Sequence, residues 1–192
     1  RSFSFARKPG ADTCLMKEEL NRDLIKESRV FHIGSLSLTA EPSKSTTMKA
    51  LEIAKDAGCI ISYDPNYREA LWKCKEVAIE GMRSVISYVD VMKLSDEETV
   101  LLTDYAEPEK AAKRLVEQGV SIVAVTLGAD GALVCTKNGC VTVKGFKTTM
   151  VDSTGAGDSF WGGFLSCLLE SDKQLEELSL NEISSFVRYG NA

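Results

Sequence analysis

The chain has 192 residues, 44% of them hydrophobic and 27% charged, with a net charge of −5 at pH 7. That balance fits one ordinary folded domain with a real core. The acidic excess and the lack of any basic cluster argue against a nucleic-acid or anionic-membrane partner, and no apolar run approaches the length of a membrane span.

In chain order, Val30-Phe-His-Ile33 reads as a strand, with His32 expected in the core. A helix is predicted over 43–57, stopped by Gly58. Cys59-Ile-Ile-Ser-Tyr63 is the next strand, and 70–86 reads as helical. Val89-Asp-Val-Met-Lys93 follows as a strand, then helical segments over 97–102 and 108–118, the second ended by Gly119. Ile122-Val-Ala-Val125 is a strand, and 132–136 and 141–144 form a hairpin around Asn138-Gly139. A helix follows Asp158 to about Leu169, and a last one begins near Leu180. This alternation predicts an α/β fold, a mostly parallel central sheet covered by helices on both faces, in one domain over 1–192.

The six cysteines (Cys14, Cys59, Cys74, Cys135, Cys140 and Cys167) form no CxxC pair, and only His32 could join them at a zinc site. They read as small hydrophobes in a reduced, cytoplasmic protein. The opening Arg-Ser-Phe-Ser-Phe is not a signal peptide, and without an initiator Met the chain is expected to be part of something longer.

In open α/β sheets ligands bind beyond the C-terminal ends of the strands. Five polar or glycine-rich segments fall there: Gly34-Ser-Leu-Ser37, Asp64-Pro-Asn-Tyr-Arg68, Ser95-Asp-Glu-Glu98, Thr126-Leu-Gly-Ala-Asp-Gly131 and Asp152 to Asp158. Together they predict a site for a polar, phosphorylated ligand. In the last of them Gly155, Ala156 and Gly157 stand before an apolar helix beginning Phe160-Trp-Gly-Gly-Phe-Leu165. Such glycines let backbone N–H groups point outward at a helix start, where the dipole adds positive charge and anions bind. Asp158 beside them is placed to take a proton from an attacking alcohol, while the N–H groups hold a transferring phosphoryl group. The plainer alternative makes Asp158 the N-cap of its helix. Against it, Gly162 and Gly163 weaken a helix interior, which predicts close packing there, and a simple cap needs no second carboxylate at Asp152. No P-loop, kinase H-R-D or D-F-G, or Gly-x-Ser-x-Gly motif is present, and Phe160 breaks the dinucleotide fingerprint. Ser95 to Glu98 also reads as a capping box, Asp64-Pro65-Asn66 as a turn, and Thr126 to Gly131 as a strand-to-hairpin connection.

Asp152-Ser-Thr-Gly-Ala-Gly-Asp158 followed by Gly162-Gly-Phe-Leu165 resembles the C-terminal signature of the ribokinase-like carbohydrate kinases of the phosphofructokinase-B type. Asp64-Pro-Asn-Tyr-Arg68 and Thr126-Leu-Gly-Ala-Asp-Gly131 resemble two further blocks in the same order, and Arg7-Lys-Pro-Gly-Ala-Asp12 with Gly34-Ser-Leu-Ser-Leu-Thr39 is most similar to the fructokinase branch. The resemblance implies a three-layer α/β/α ribokinase-like fold, incomplete at the N-terminus, with the upstream strands, a Gly-Gly sugar motif, much of the lid and the final helices outside this chain. It implies MgATP-dependent phosphorylation of a sugar hydroxyl, most similar to fructose becoming fructose 6-phosphate. Asp158 matches the base, and Gly155, Ala156 and Gly157 the anion hole. Thr126, Gly128 and Gly131 match the ATP loop, Asn191 an adenine contact, and Ser95 a nucleotide contact at which the family usually has Asn. Arg7, Asn66 and Arg68 match positions at substrate or phosphate. Glu98 matches a magnesium-supporting acid, and Asp152 and Thr154 a monovalent-cation site, usually for potassium. A kinase of ribose, 2-keto-3-deoxygluconate or a nucleoside stays open, as does a nucleotide-binding module without chemistry. Oligomeric state stays open too, a homodimer being common in the family.

Overall fold

A computed structural model describes residues 10–192, which form two compact units dividing between Val91 and Met92. Arg7 lies outside the described residues.

The first unit holds α1 (Arg22–Glu27), β1 (Val30–Gly34), α2 (Ser43–Asp56), β2 (Ile60–Asp64) and α3 (Lys75–Arg83). Strands β1 and β2 run parallel, Val30 opposite Ile60 and Gly34 opposite Asp64. The α2 helix buries Ala50, Leu51 and Ala54, and β2 buries Ile61 and Tyr63, which together build this unit's core. Gly58, at φ +79°, ends α2 in the left-handed conformation that only glycine takes cheaply. The Tyr63 hydroxyl donates to the Met82 carbonyl at 3.2 Å, tying β2 to α3.

Three expectations are corrected here. Residues 70–86 are not one helix: a turn over Glu69–Leu71 precedes extended backbone at Cys74, and α3 starts only at Lys75. The break seats the buried Trp72 on Gly81, where a Cβ would come within 2.7 Å of the indole. Local helix preference yields to that packing. The following strand starts two residues late because Asp90 turns back on β2. Its N–H donates to the Ile61 carbonyl, and its carboxylate accepts from Ile61 N–H and from Lys55. His32 is exposed rather than in the core: β1 buries Ile33, and alternation turns His32 the other way, with Nδ1 2.9 Å from the Ser62 hydroxyl.

The second unit holds β3 (Val91–Ser95, its first residue on the boundary), α4 (Thr99–Thr103), α5 (Pro108–Glu117), β4 (Ile122–Thr126), β5 (Ala132–Thr136), β6 (Gly139–Val143), α6 (Ala156–Glu170) and α7 (Leu180–Gly190). Its strands lie in the order β3-β4-β5-β6, and the last three are antiparallel, the predicted hairpin supplying part of that antiparallel edge. Strand β4 is buried from Ile122 to Val125, as its unbroken apolar run demands. The hairpin turns at Lys137-Asn138, and Gly139 already begins β6. That register sets Cys135 opposite Cys140, and a disulfide joins them with Cα atoms 4.1 Å apart, correcting the expectation of six reduced thiols. Helix α6 buries Phe160, Trp161, Phe164 and Leu168 and leaves Gly162 exposed. Among the described residues no helix is long and apolar enough to cross a membrane.

Candidate active site

The site begins where α6 begins. Gly155 is its N-cap, at φ +77°, and no side chain caps the helix. Asp158 is therefore the third residue of α6 and not the cap, which removes the plainer alternative. The Ala156 N–H bonds to the Ser153 carbonyl at 3.2 Å, and the Gly155 carbonyl accepts from Ser159 N–H at 2.8 Å. Among the described residues the N–H groups of Gly157 and Asp158 find no acceptor. Two bare donors at the positive end of a 15-residue helix form a ready anion site. The Asp158 side chain is exposed beside them.

The approach to this turn is held by Asp152. Its Oδ1 accepts from the Thr154 N–H at 2.9 Å and from the Thr154 hydroxyl at 2.8 Å. The donor set here is all oxygen, which suits a hard cation such as potassium.

A cleft of about 470 Å³ opens in front of α6. Ala156 and Gly157 line it, and so do Ser95, Thr126, Gly128, Gly131 and Asn191, so all five expected nucleotide residues converge on one cavity of the second unit. The 126–131 loop depends on its glycines. Gly128 and Gly131 sit at φ +58° and +99°, and the Leu127 N–H donates to the Gly131 carbonyl at 2.8 Å. Asn191 also donates its side-chain amide to the Val143 carbonyl at 3.2 Å, so it braces β6 from the cleft wall.

Glu98 takes the capping role that its spacing from Ser95 predicts. It is buried, and its Oε2 accepts from both the Ser95 N–H (2.7 Å) and the Ser95 hydroxyl (2.9 Å). The capping pattern seen in the sequence is thus formed. The acids lining the cleft are Asp96 and Glu97. Among the described residues no cluster of three His, Cys, Asp or Glu side chains could hold a metal alone. A magnesium ion, which keeps waters and leans on phosphate oxygens, needs only one or two such carboxylates.

Asn66 and Arg68 belong to the first unit. Asn66 takes φ +47°, with its N–H on Asp64 Oδ1 at 3.2 Å, and Arg68 Nη1 donates to the Tyr67 carbonyl at 3.0 Å. Burial, reinforced by Glu69 and Glu76, pushes the Tyr67 hydroxyl above its ordinary pKa.

Sequence reasoning missed Lys93. It is 5% exposed in β3 and lines the cleft, and a Cβ on Gly157 would lie 3.0 Å from its Nζ. The signal was a lone Lys inside the apolar run Val91-Met-Lys-Leu94.

A model of the pfkB family of carbohydrate kinases matches residues 1–192. The chain belongs to the pfkB carbohydrate kinase family. Its relatives include the probable fructokinase-5 of Arabidopsis thaliana, 43% identical over 92% of this chain and 55% of that protein. The fructokinase-2 of Solanum lycopersicum is 43% identical over 97% of the chain and 57% of its own length. The pfkB chain therefore spans little more than half of these curated relatives. Among solved structures, a fructokinase from Vibrio cholerae O395 bound to fructose, ADP and a calcium ion superposes with a TM-score of 0.89 at 33% identity, covering 99% of this chain and 60% of that one. An aminoimidazole riboside kinase from Salmonella enterica, with aminoimidazole riboside and an ATP analog, gives 0.85 at 25% identity, over 98% and 62%. The ribokinase-like α/β fold of the pfkB chain follows from these likenesses.

Proposed function

We propose that this chain carries the phosphoryl-transfer half of a sugar kinase of fructokinase type, converting fructose and ATP to fructose 6-phosphate, ADP and a proton. The observation that carries this is the start of α6, where two unbonded N–H groups stand beside the exposed carboxylate of Asp158. The sugar hydroxyl oxygen attacks the terminal phosphorus as its proton passes to Asp158, and the bond to the ADP oxygen breaks. The Gly157 and Asp158 N–H groups hold the negative charge of the moving phosphoryl group. Thr126, Gly128 and Gly131 seat the nucleotide phosphates, and Asn191 lies toward the base. A magnesium ion arriving with ATP would find Asp96 and Glu97 on the cleft wall to hold its waters, with Glu98 supporting it through water, and would supply positive charge against the phosphates. Asp152 and Thr154 offer oxygens to potassium. Arg68, Asn66 and Arg7 are assigned to substrate or phosphate on the resemblance alone.

The test is Asp158→Asn and Asp158→Ala, assayed by ADP release with fructose. The expected result is a loss in kcat of orders of magnitude with an unchanged melting temperature, since the carboxylate is exposed and caps nothing. Near-normal kcat would overturn the base assignment. A sugar panel that includes ribose, 2-keto-3-deoxygluconate and a nucleoside tests the fructose assignment in the same assay.

A further inference from the structure

We infer that Lys93 is the phosphate-binding cation of this site. The inference rests on the reading of the cleft as a nucleotide site. It also gives that site the positive side chain that no motif supplied.

The cleft is lined by the carboxylates of Asp96 and Glu97, and Lys93 is its one cationic side chain among the described lining residues. A nucleoside triphosphate brings several negative charges into such a cavity, and backbone N–H groups carry only partial positive charge. Placement follows from the strand. Side chains two apart on β3 share a face, so Lys93 and Ser95 stand on the same wall, and both line the cleft. Ser95 occupies the position where the related pattern has Asn, and its hydroxyl donates to Glu98. Lys93 can supply the phosphate with the donor that Ser95 turns toward Glu98, since its longer stem carries its head up to the α6 turn. The Nζ lies 3.0 Å from the point a Cβ on Gly157 would occupy, next to the unbonded Gly157 N–H. One oxygen on the transferring group can then accept from the backbone donor and from the ammonium together. With Lys93 only 5% exposed, packing already holds its stem, so little rotamer freedom is left to lose when the ammonium meets a phosphate oxygen.

The test compares wild type with Lys93→Met and Lys93→Arg by calorimetric titration with ATP, ADP and AMP, alongside turnover of fructose. Lys93→Met is expected to weaken ATP binding by about 10- to 100-fold, the size of one missing charge-assisted hydrogen bond, while AMP affinity changes by less than about twofold. Lys93→Arg is expected to restore part of the ATP affinity. A purely structural lysine would instead lower the melting temperature and weaken all nucleotides alike. On wild-type protein, ¹⁵N-lysine labelling should show the Lys93 ammonium resonance moving on ATP but not on adenosine, which keeps the question decidable if Lys93→Met does not fold. ATP affinity within twofold of wild type in Lys93→Met, or a resonance indifferent to ATP, overturns the inference. ATP binding that depends on Lys93 without turnover of any sugar sustains it and overturns the kinase reading instead. Wild-type protein that binds no ATP overturns both.

Discussion

At Gly131 the backbone allows no side chain. A Cβ there would sit 2.1 Å from the Val143 carbonyl oxygen, and φ is +99°. Gly155 shares the left-handed conformation, at φ +77°, but has nothing within 4 Å of its Cβ position. The two glycines thus separate strain from collision. Gly155→Ala is expected to cost about 1 kcal/mol, the strain of the left-handed backbone alone. Gly131→Ala adds overpacking against the backbone of Val143 and Lys144 and is expected to cost more than about 2 kcal/mol. Urea unfolding of the two variants checks the order. Equal losses would mean that the 126–131 loop shifts freely, and its claim to hold phosphates in fixed positions would weaken with it.

At the scale of elements, α6 and α7 meet through glycine. Among the residues of α6, Gly163 would place a Cβ 3.2 Å from Gly190 Cα, and Gly190 in α7 would place one 2.5 Å from the Phe160 carbonyl oxygen. Gly162, adjacent in sequence, is exposed with nothing within 4 Å. The Gly162-Gly163 pair that the sequence flagged for close packing therefore divides. Gly162→Ala is expected to stabilise by up to about 1 kcal/mol, since only helix propensity changes. Gly190→Ala is expected to destabilise by about 1–3 kcal/mol through overpacking. Thermal melts showing the same sign for both would contradict this helix packing. The start of α7 carries a pH signature as well. Glu182 closes a capping box with Ser179 and accepts from Lys173 at 2.5 Å. Lys173 first, then Ser179, lowers its pKa to about 2 from 4.5. A depressed carboxylate stabilises the fold above its unfolded pKa, and the contribution fades as pH falls from about 4.5 toward 2. Glu182→Gln should thus be less stable than wild type at pH 7, with the gap closing by pH 2. A gap that does not depend on pH would show that the ionised carboxylate contributes nothing.

For the molecule as a whole, the sequence was most informative where local chemistry and burial agree. Helix α2 ends at Gly58 and α5 before Gly119, both glycines at positive φ, and β4 reads as one apolar run because it is buried throughout. The Thr126 to Gly131 loop and the 155–157 turn were legible for the same reason: glycine at those spacings has few other uses. What stayed hidden depends on partners distant in the chain. Trp72 broke a predicted helix to reach Gly81, Asp90 delayed β3 by bonding to Ile61, and Lys93 became a site residue only once α6 was laid beside it. The cysteines show the same limit. Reading them as small hydrophobes fits Cys59, which is buried with its thiol on the Ile25 carbonyl, but register pairs Cys135 with Cys140.

That pairing gives the molecule four free thiols with different environments. Cys14 and Cys74 are exposed, and Cys59 is buried. Burial, with the Glu170 charge adding to it, raises the Cys167 thiol above its ordinary pKa, so less of it is thiolate at neutral pH. Iodoacetamide should therefore label Cys14 and Cys74 first on the native protein, with Cys167 and Cys59 lagging. After denaturation without reductant, mass spectrometry should count four adducts, rising to six once a reductant opens Cys135–Cys140. The β4–β5 and β5–β6 ladders do not depend on the sulfur bridge, so reduction should leave the far-ultraviolet circular dichroism unchanged. Six adducts without reductant would show the two thiols facing each other unjoined across the hairpin, in keeping with the reduced protein that the cysteine pattern alone suggests.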